Sequence, residues 1–198
     1  MGNYTETEIK MYVPHLELVQ IRLDRLGARL TAPRVYEHNV RYENTENTLV
    51  SSGIVVRLRQ DSRARLTYKD SGSVREGIIS RFEAEVEVSD FDTMQTILGK
   101  LGYHPYMIYE KYRTTYELDE AEIVLDELPY GNFVEIEAPH EQIEHLIQQL
   151  ALSDQPRMNA SYAGLFEQVK RRLGLDFTDL TFANFKGIHV PESVFVSV

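Results

Sequence analysis

The sequence predicts an α+β fold built on a largely antiparallel sheet. Two observations carry this. About eight runs alternate apolar and polar residues with the period of a half-buried strand, against about four with helical spacing. Runs adjacent in sequence are mostly joined by short turns, which antiparallel pairing permits and parallel pairing does not.

The first strand is read over residues 4–13, with Glu6, Glu8 and Lys10 on one face and Thr5, Thr7, Ile9, Met11 and Val13 on the other. Pro14 breaks it. Leu16, Val19, Leu23 and Leu26 recur at helical spacing, and Gly27 ends that helix. Residues 34–43 read as a strand rich in β-formers, residues 44–52 as a loop, and 53–60 and 64–69 as a hairpin about Asp61-Ser62-Arg63. Residues 70–77 read as a Gly/Ser-rich loop, and 80–88 alternate cleanly. Ser89 or Asp90 caps a helix that stops at Gly102. Strands follow at 107–118, 121–126 and 133–138, the last two joined through Pro129-Tyr130-Gly131-Asn132. Pro139 opens a third helix, and residues 161–173 form a fourth. The expected domain spans residues 1–175. A tail, 176–198, carries Phe177, Phe182, Phe185 and Phe195, too apolar to hang free, so part of it should pack.

The chain has 198 residues, 42% hydrophobic and 26% charged, enough for one real core. With 21 Lys and Arg against 31 Asp and Glu, the net charge of −10 argues against a generic binder of nucleic acid or anionic membrane. There is no cysteine, which excludes disulfides, thiolate nucleophiles and cysteine-held zinc. The six histidines show no metal-ligand spacing and read as structural or surface residues. Without an apolar signal core or a membrane-length run, a cytoplasmic location is expected.

The polar faces of the strands carry the signal. They present Glu6, Glu8 and Lys10; Arg57 and Arg59; Arg65, Thr67 and Lys69; Arg81, Glu83, Glu85 and Glu87; Lys111 and Arg113; Asp126; and Glu135 and Glu137. Two arrangements fit. The charged faces look at water, or the strands close and the charges line a polar tunnel. In a tunnel, carboxylates suit a hard cation such as Mg²⁺ or Mn²⁺, and Arg and Lys clamp phosphoryl oxygens. A polyphosphate bound with its metal satisfies both.

This series resembles the CYTH domain proteins, also called triphosphate tunnel metalloenzymes, a family that includes class IV adenylyl cyclases, thiamine triphosphatases and inorganic triphosphatases. The matching residues are Glu6-x-Glu8-x-Lys10, Arg57-x-Arg59, Thr67-x-Lys69, Arg81-x-Glu83-x-Glu85, Lys111-x-Arg113, Asp126 and Glu135-x-Glu137, in family order over roughly residues 4–173, with Ser161-Tyr162 late in the chain. The resemblance implies an eight-stranded antiparallel β tunnel, a closed barrel with a polar interior covered by the helices. It implies Glu6, Glu8, Glu135 and Glu137 as metal carboxylates, with Asp126 and Glu85 as helpers. Lys10, Arg57, Arg59, Lys69, Arg81, Lys111 and Arg113 form the phosphate cradle, with Arg41 a looser candidate. Glu85 and Lys69 are the candidate catalytic residues, with a second metal or a carboxylate such as Glu85 expected to orient the attacking water. The expected activity is a Mg²⁺- or Mn²⁺-dependent triphosphatase releasing orthophosphate. The alternatives are an adenylyl cyclase making cyclic AMP and pyrophosphate, and a non-catalytic polyphosphate-binding module. The expected partner is a small-molecule triphosphate, with no nucleic acid or membrane, on a monomer or homodimer.

Overall fold

The computed structural model describes residues 5–196. Tyr4, where the first strand is expected to begin, lies outside the described residues, as do Ser197 and Val198 at the end of the tail.

Among the described residues, nine strands and four α-helices follow in the order β1 (Thr5–Tyr12), α1 (Leu16–Arg25), β2 (Arg29–Glu43), β3 (Val55–Gln60), β4 (Ala64–Lys69), β5 (Ser73–Arg75), β6 (Ile78–Val88), α2 (Phe91–Lys100), β7 (His104–Leu118), β8 (Ala121–Leu128), β9 (Gly131–Glu137), α3 (His140–Gln149) and α4 (Tyr162–Leu173). Every pairing between them is antiparallel. The order β1-β9-β8-β7-β2-β3-β4-β6 returns to β1, whose residues 5–9 pair with residues 78–82 of β6. Eight strands therefore close, which removes the free edges an open sheet would expose.

The ninth strand, β5, falls in the segment expected to be a loop. It adds to the start of β6, on the side where β4 has already ended. The second strand starts at Arg29 rather than residue 34. Pro33 cannot donate to a ladder, and register shifts between Leu30 and Ala32 and between Ala32 and Val35 absorb it. Asp90 is the cap of α2, its carboxylate accepting the Thr93 backbone N–H at 2.7 Å.

Since the inner face is charged, the apolar cores lie outside the barrel. Ile9, Met11, Ile123, Leu125, Val134 and Ile136 pack under α1 and α3. Val40, Tyr42, Val56 and Leu58 pack under α2. A third cluster stops one end of the barrel. On β1 and β9 the inward face changes from Lys10 and Glu135 to Tyr12 and Phe133, which pack with Tyr162 and Phe166 of α4 and with Leu180, Phe185 and Phe195 of the tail. The Leu180 backbone bonds Ile108 and Glu110 of β7 at 2.9 Å each, where β8 no longer pairs with that strand. The outer face of β4 and β6 carries exposed Tyr68, Phe82 and Val86. Among the described residues, no helix is long and apolar enough to cross a membrane.

This placement of the core predicts unequal costs for similar truncations. Ile136→Ala, at a fully buried outward position of β9, should cost about 3 kcal/mol in urea unfolding. Val86→Ala, 57% exposed on β6, should cost less than about 0.5 kcal/mol. Equal costs would contradict a core confined to the helix-covered faces.

Candidate functional site

The closed strands enclose a cavity of about 890 Å³. Its lining includes Glu6, Glu8, Lys10, Arg57, Arg59, Lys69, Arg81, Glu85, Lys111, Arg113, Glu135 and Glu137. Eight strands supply the wall, and strand parity explains the convergence: charged residues two apart point inward while their apolar neighbours point to the helices.

Three ion networks organise it. The first lies between β1, β4 and β6. Lys69 Nζ is 3.0 Å from Glu6 and 2.5 Å from Glu83, and Arg81 donates to Glu6 at 3.0 Å and to Glu8 at 2.8 Å. Burial opposes the charge of Glu6, but the hydrogen bond with Glu83 and the cations Lys69 and Arg81 hold its pKa down at about 2. Glu83 is pushed up to about 7 by burial and by its hydrogen bond to Glu6, with Lys69 opposing. Burial and the neighbouring Glu6 thus favour the protonated form of Glu83.

The second network is the most buried. Asp126 accepts from Lys111 Nζ at 3.0 Å, from Arg113 at 2.7 and 2.6 Å, and from the Tyr162 phenol at 2.7 Å. Arg113 also reaches Glu135 at 2.6 Å, and Lys10 pairs with Glu135 at 2.7 Å. Burial works against the Glu135 charge, yet Lys10, Arg113 and Lys111 hold its pKa well below the usual carboxylate range. Glu37 of β2 joins from the other side, 3.2 Å from Arg59 and 3.5 Å from Lys111.

The third network gathers cations around one acid. Glu85 lies 3.4 Å from Arg57, 3.1 Å from Arg59 and 3.7 Å from Arg65, and accepts from the Thr67 hydroxyl at 2.8 Å. Burial would raise its pKa, but these arginines and Thr67 lower it. Arg65 pairs with Asp61 as well. Arg41, on the same wall, has no ion pair among the described residues and lies over the Tyr106 ring, 5.4 Å from its centroid.

The cavity is therefore polarised. On β2 to β4 positive charge exceeds its local partners. On β8, β9 and β1 the excess is negative: the register places Glu122 beside Glu137 and Glu137 beside Glu8 in one row across three strands. Partial burial and the charges of Glu6, Glu122, Glu8 and Glu83 raise Glu137 to about 7. Since Glu137 stands at an exposed rim, the crowded charges are the stronger cause. Like charges directly opposed destabilise a sheet, so this row has the chemistry of a site for a hard cation. In the side-chain arrangement described, Glu6 and Glu8 are turned to Lys69 and Arg81, and no three acids among the described residues are grouped closely enough to hold one ion.

Asp126 is the expected site residue that does not line the cavity. Its parity is inward, but Tyr162 covers it and its oxygens are committed to four donated hydrogen bonds. Sequence reasoning named Glu83 among the charged strand faces and Ser161-Tyr162 as a late match without giving either a role, and it missed Glu37, Glu122 and Tyr109. The signal for Glu37 was present, since Glu37, Asn39 and Arg41 alternate with His38, Val40 and Tyr42. Tyr109 accepts from Arg57 at 3.1 Å on the cavity wall.

Fold and site together define a closed barrel whose cavity is cationic on one wall and anionic on the other. A model of the CYTH domain family matches residues 4–159, and the chain belongs to that family. No curated protein is significantly similar to it. Among solved structures, a candidate adenylate cyclase from Vibrio parahaemolyticus is 19% identical with a TM-score of 0.70, over 88% of this chain and 100% of that one. A protein from Pyrococcus horikoshii OT3 is 23% identical with a TM-score of 0.67, over 79% and 96%. A candidate adenylyl cyclase from Hippeastrum, described as having a dominant triphosphatase activity, is 18% identical with a TM-score of 0.60, over 87% and 97%. At these identities the likeness is one of fold.

Two predictions follow from the networks. Asp126→Asn leaves Lys111 and Arg113 buried without their main counter-charge and should cost about 3 kcal/mol of stability in denaturant unfolding. A loss below about 1 kcal/mol would remove Asp126 as the anchor. The second concerns pH. Glu83 and Glu137, with pKa values raised to about 7 from 4.5, bind more protons folded than unfolded between those values. Stability in metal-free buffer should therefore fall as pH rises from 5.5 to 8. Glu83→Gln should flatten the slope; a thermal midpoint that rises over this range would contradict the raised values.

Proposed function

We propose that the protein is a divalent-metal-dependent triphosphatase acting on a small triphosphate. The observation that carries this is the polarised cavity, with surplus arginines on β2 to β4 and surplus carboxylates on β8, β9 and β1. A triphosphate with its metal is one ligand that supplies both missing charges.

Glu137 would hold the cation together with Glu6 and Glu8 once these release Lys69 and Arg81; Glu135 is held by two cations, Lys10 and Arg113. Mg²⁺ or Mn²⁺ suits an all-oxygen donor set. Such a cation, when bound, would supply positive charge to offset that of the phosphates. Arg57, Arg59, Arg41, Lys111 and Arg113 grip phosphoryl oxygens and stabilise the leaving phosphate, largely by position and fixed charge. Lys69, Arg81 and Lys10 bridge the two walls. Asp126 acts through Lys111 and Arg113, holding them in place. Glu85 is better read as the organiser of three arginines than as the residue that orients water, because its oxygens face those arginines and Thr67 and its pKa is lowered. The fold carries a dominant triphosphatase activity in the Hippeastrum protein, which is consistent with this reading. A cytoplasmic setting suits a chain with no cysteine.

The test is product analysis. Purified protein with Mg²⁺ or Mn²⁺ is offered inorganic triphosphate, thiamine triphosphate and ATP in parallel. Orthophosphate should appear and should cease when EDTA removes the metal. Cyclic AMP and pyrophosphate from ATP, without hydrolysis of inorganic triphosphate, would replace the triphosphatase by a cyclase. Tight triphosphate binding without turnover would leave a binding module.

A further inference from the structure

Two phenols line the cavity, Tyr109 and Tyr162, and their hydrogen bonding differs. The Tyr162 hydroxyl donates to Asp126 at 2.7 Å. The Tyr109 hydroxyl accepts from the Arg57 guanidinium at 3.1 Å, and among the described residues it donates to nothing. A phenol is both donor and acceptor, so this contact uses its oxygen and leaves the O–H for a further partner. Asn39 stands beside Tyr109 across β2, but its buried amide makes no hydrogen bond either.

The group is firmly placed. Tyr109 is 7% exposed and shares the inward parity of Lys111 and Arg113 on β7. Its ring belongs to the apolar cluster of Tyr12, Tyr130 and Phe133, so packing carries the hydroxyl to the cationic wall. The charged groups that act on it are Arg57 of β3, Lys111 of its own strand and Glu37 of β2, with the phenols of Tyr106 and Tyr130 close by. Burial works to raise its pKa, but Arg57 and Lys111 outweigh both burial and Glu37 and bring it below the usual phenol value. The wall thus holds, among arginines and lysines, one neutral donor that gives up its proton more readily than a free phenol.

We propose that Tyr109 is a catalytic hydrogen-bond donor, its phenol O–H donating to the phosphate oxygen on which charge builds as the terminal P–O bond of the triphosphate breaks. The role rests on the triphosphatase reading above. Arg57 holds the phenol oxygen and also lines the cavity, so a phosphoryl oxygen gripped by Arg57 comes within reach of the Tyr109 O–H. A donor aimed where charge develops stabilises the transition state more than the bound substrate. The phenol must keep its proton to serve, since a phenolate would face the phosphates with like charge.

The test separates donation to the substrate from mere support of Arg57. Wild type, Tyr109→Phe and a chain carrying a ring-fluorinated tyrosine at position 109 are assayed with Mg²⁺ on the triphosphate that the wild type hydrolyses. Phenylalanine keeps the ring and removes the hydroxyl. Its kcat should fall about a hundredfold, while binding of imido-triphosphate, read by calorimetry, should change less than about threefold. Support of Arg57 alone would weaken binding and leave kcat nearly unchanged. The second readout is pH. Wild-type kcat should fall on the alkaline side as the phenol ionises. That limb should move to lower pH in the fluorinated chain, whose phenol is more acidic, and should be absent from Tyr109→Phe. The fluorine NMR signal should also shift when imido-triphosphate binds. The fluorinated chain decides the matter if Tyr109→Phe does not fold. Wild-type kcat in Tyr109→Phe, or an alkaline limb that fluorination leaves in place, would overturn the donor while the triphosphatase reading stands. A wild type that hydrolyses no triphosphate would refute that reading, and the role of Tyr109 with it.

Discussion

Charge held away from water is the constraint on which this structure depends. Lys111 is 1% exposed, Asp126 0% and Glu37 1%. None could remain ionised there alone, since an unpaired buried charge costs far more than a fold can spare. Each is paired, and the pairs link different strands: Asp126 on β8 to Lys111 and Arg113 on β7, Glu37 on β2 across to Arg59 on β3. The barrel is thus held from within by ions and from without by apolar packing under the helices. The inversion of inside and outside follows directly, because a charged lumen leaves the apolar faces of the strands no other place to go.

The pairing also shapes what the cavity can bind. Most basic groups already have an acid, so a phosphate must exchange partners rather than simply arrive. Binding then reads as a difference between two electrostatic arrangements. The internal balance is poorest around Glu85, one acid among three arginines, and along the row Glu122, Glu137 and Glu8, where acids meet acids.

Most of this was legible in the chain because strand parity is unforgiving. The period of two placed Glu6, Glu8 and Lys10 opposite Ile9 and Met11, and the structure has the first set lining the cavity and Ile9 and Met11 in the core. On the second strand Glu37, Asn39 and Arg41 do alternate, but Pro33 and the register shifts around Ala32 precede them and another shift follows Arg41, so the inward parity was not assigned and Glu37 went unnamed. Short β5 escaped because three residues, Ser73 to Arg75, carry no period. Other features depend on contacts distant in sequence. The parity of Asp126 was readable, but not that Tyr162, thirty-six residues later, would cover it. The residues gathered around Glu85 were visible, but not that they would take up its oxygens.

The stretch recognisable as CYTH ends at residue 159, yet Tyr162, Phe166, Leu180, Phe185 and Phe195 beyond it are buried against strands that lie within it. Leu180 even supplies main-chain partners to β7 that β8 does not reach. The portion identifiable by similarity is therefore smaller than the portion that must be present for the barrel end to be dry. Cutting the chain at its recognisable limit would strip the aromatic cover from Tyr12 and Phe133 and take away the Tyr162 ring beside Lys10 and Lys111, leaving those buried cations open to water.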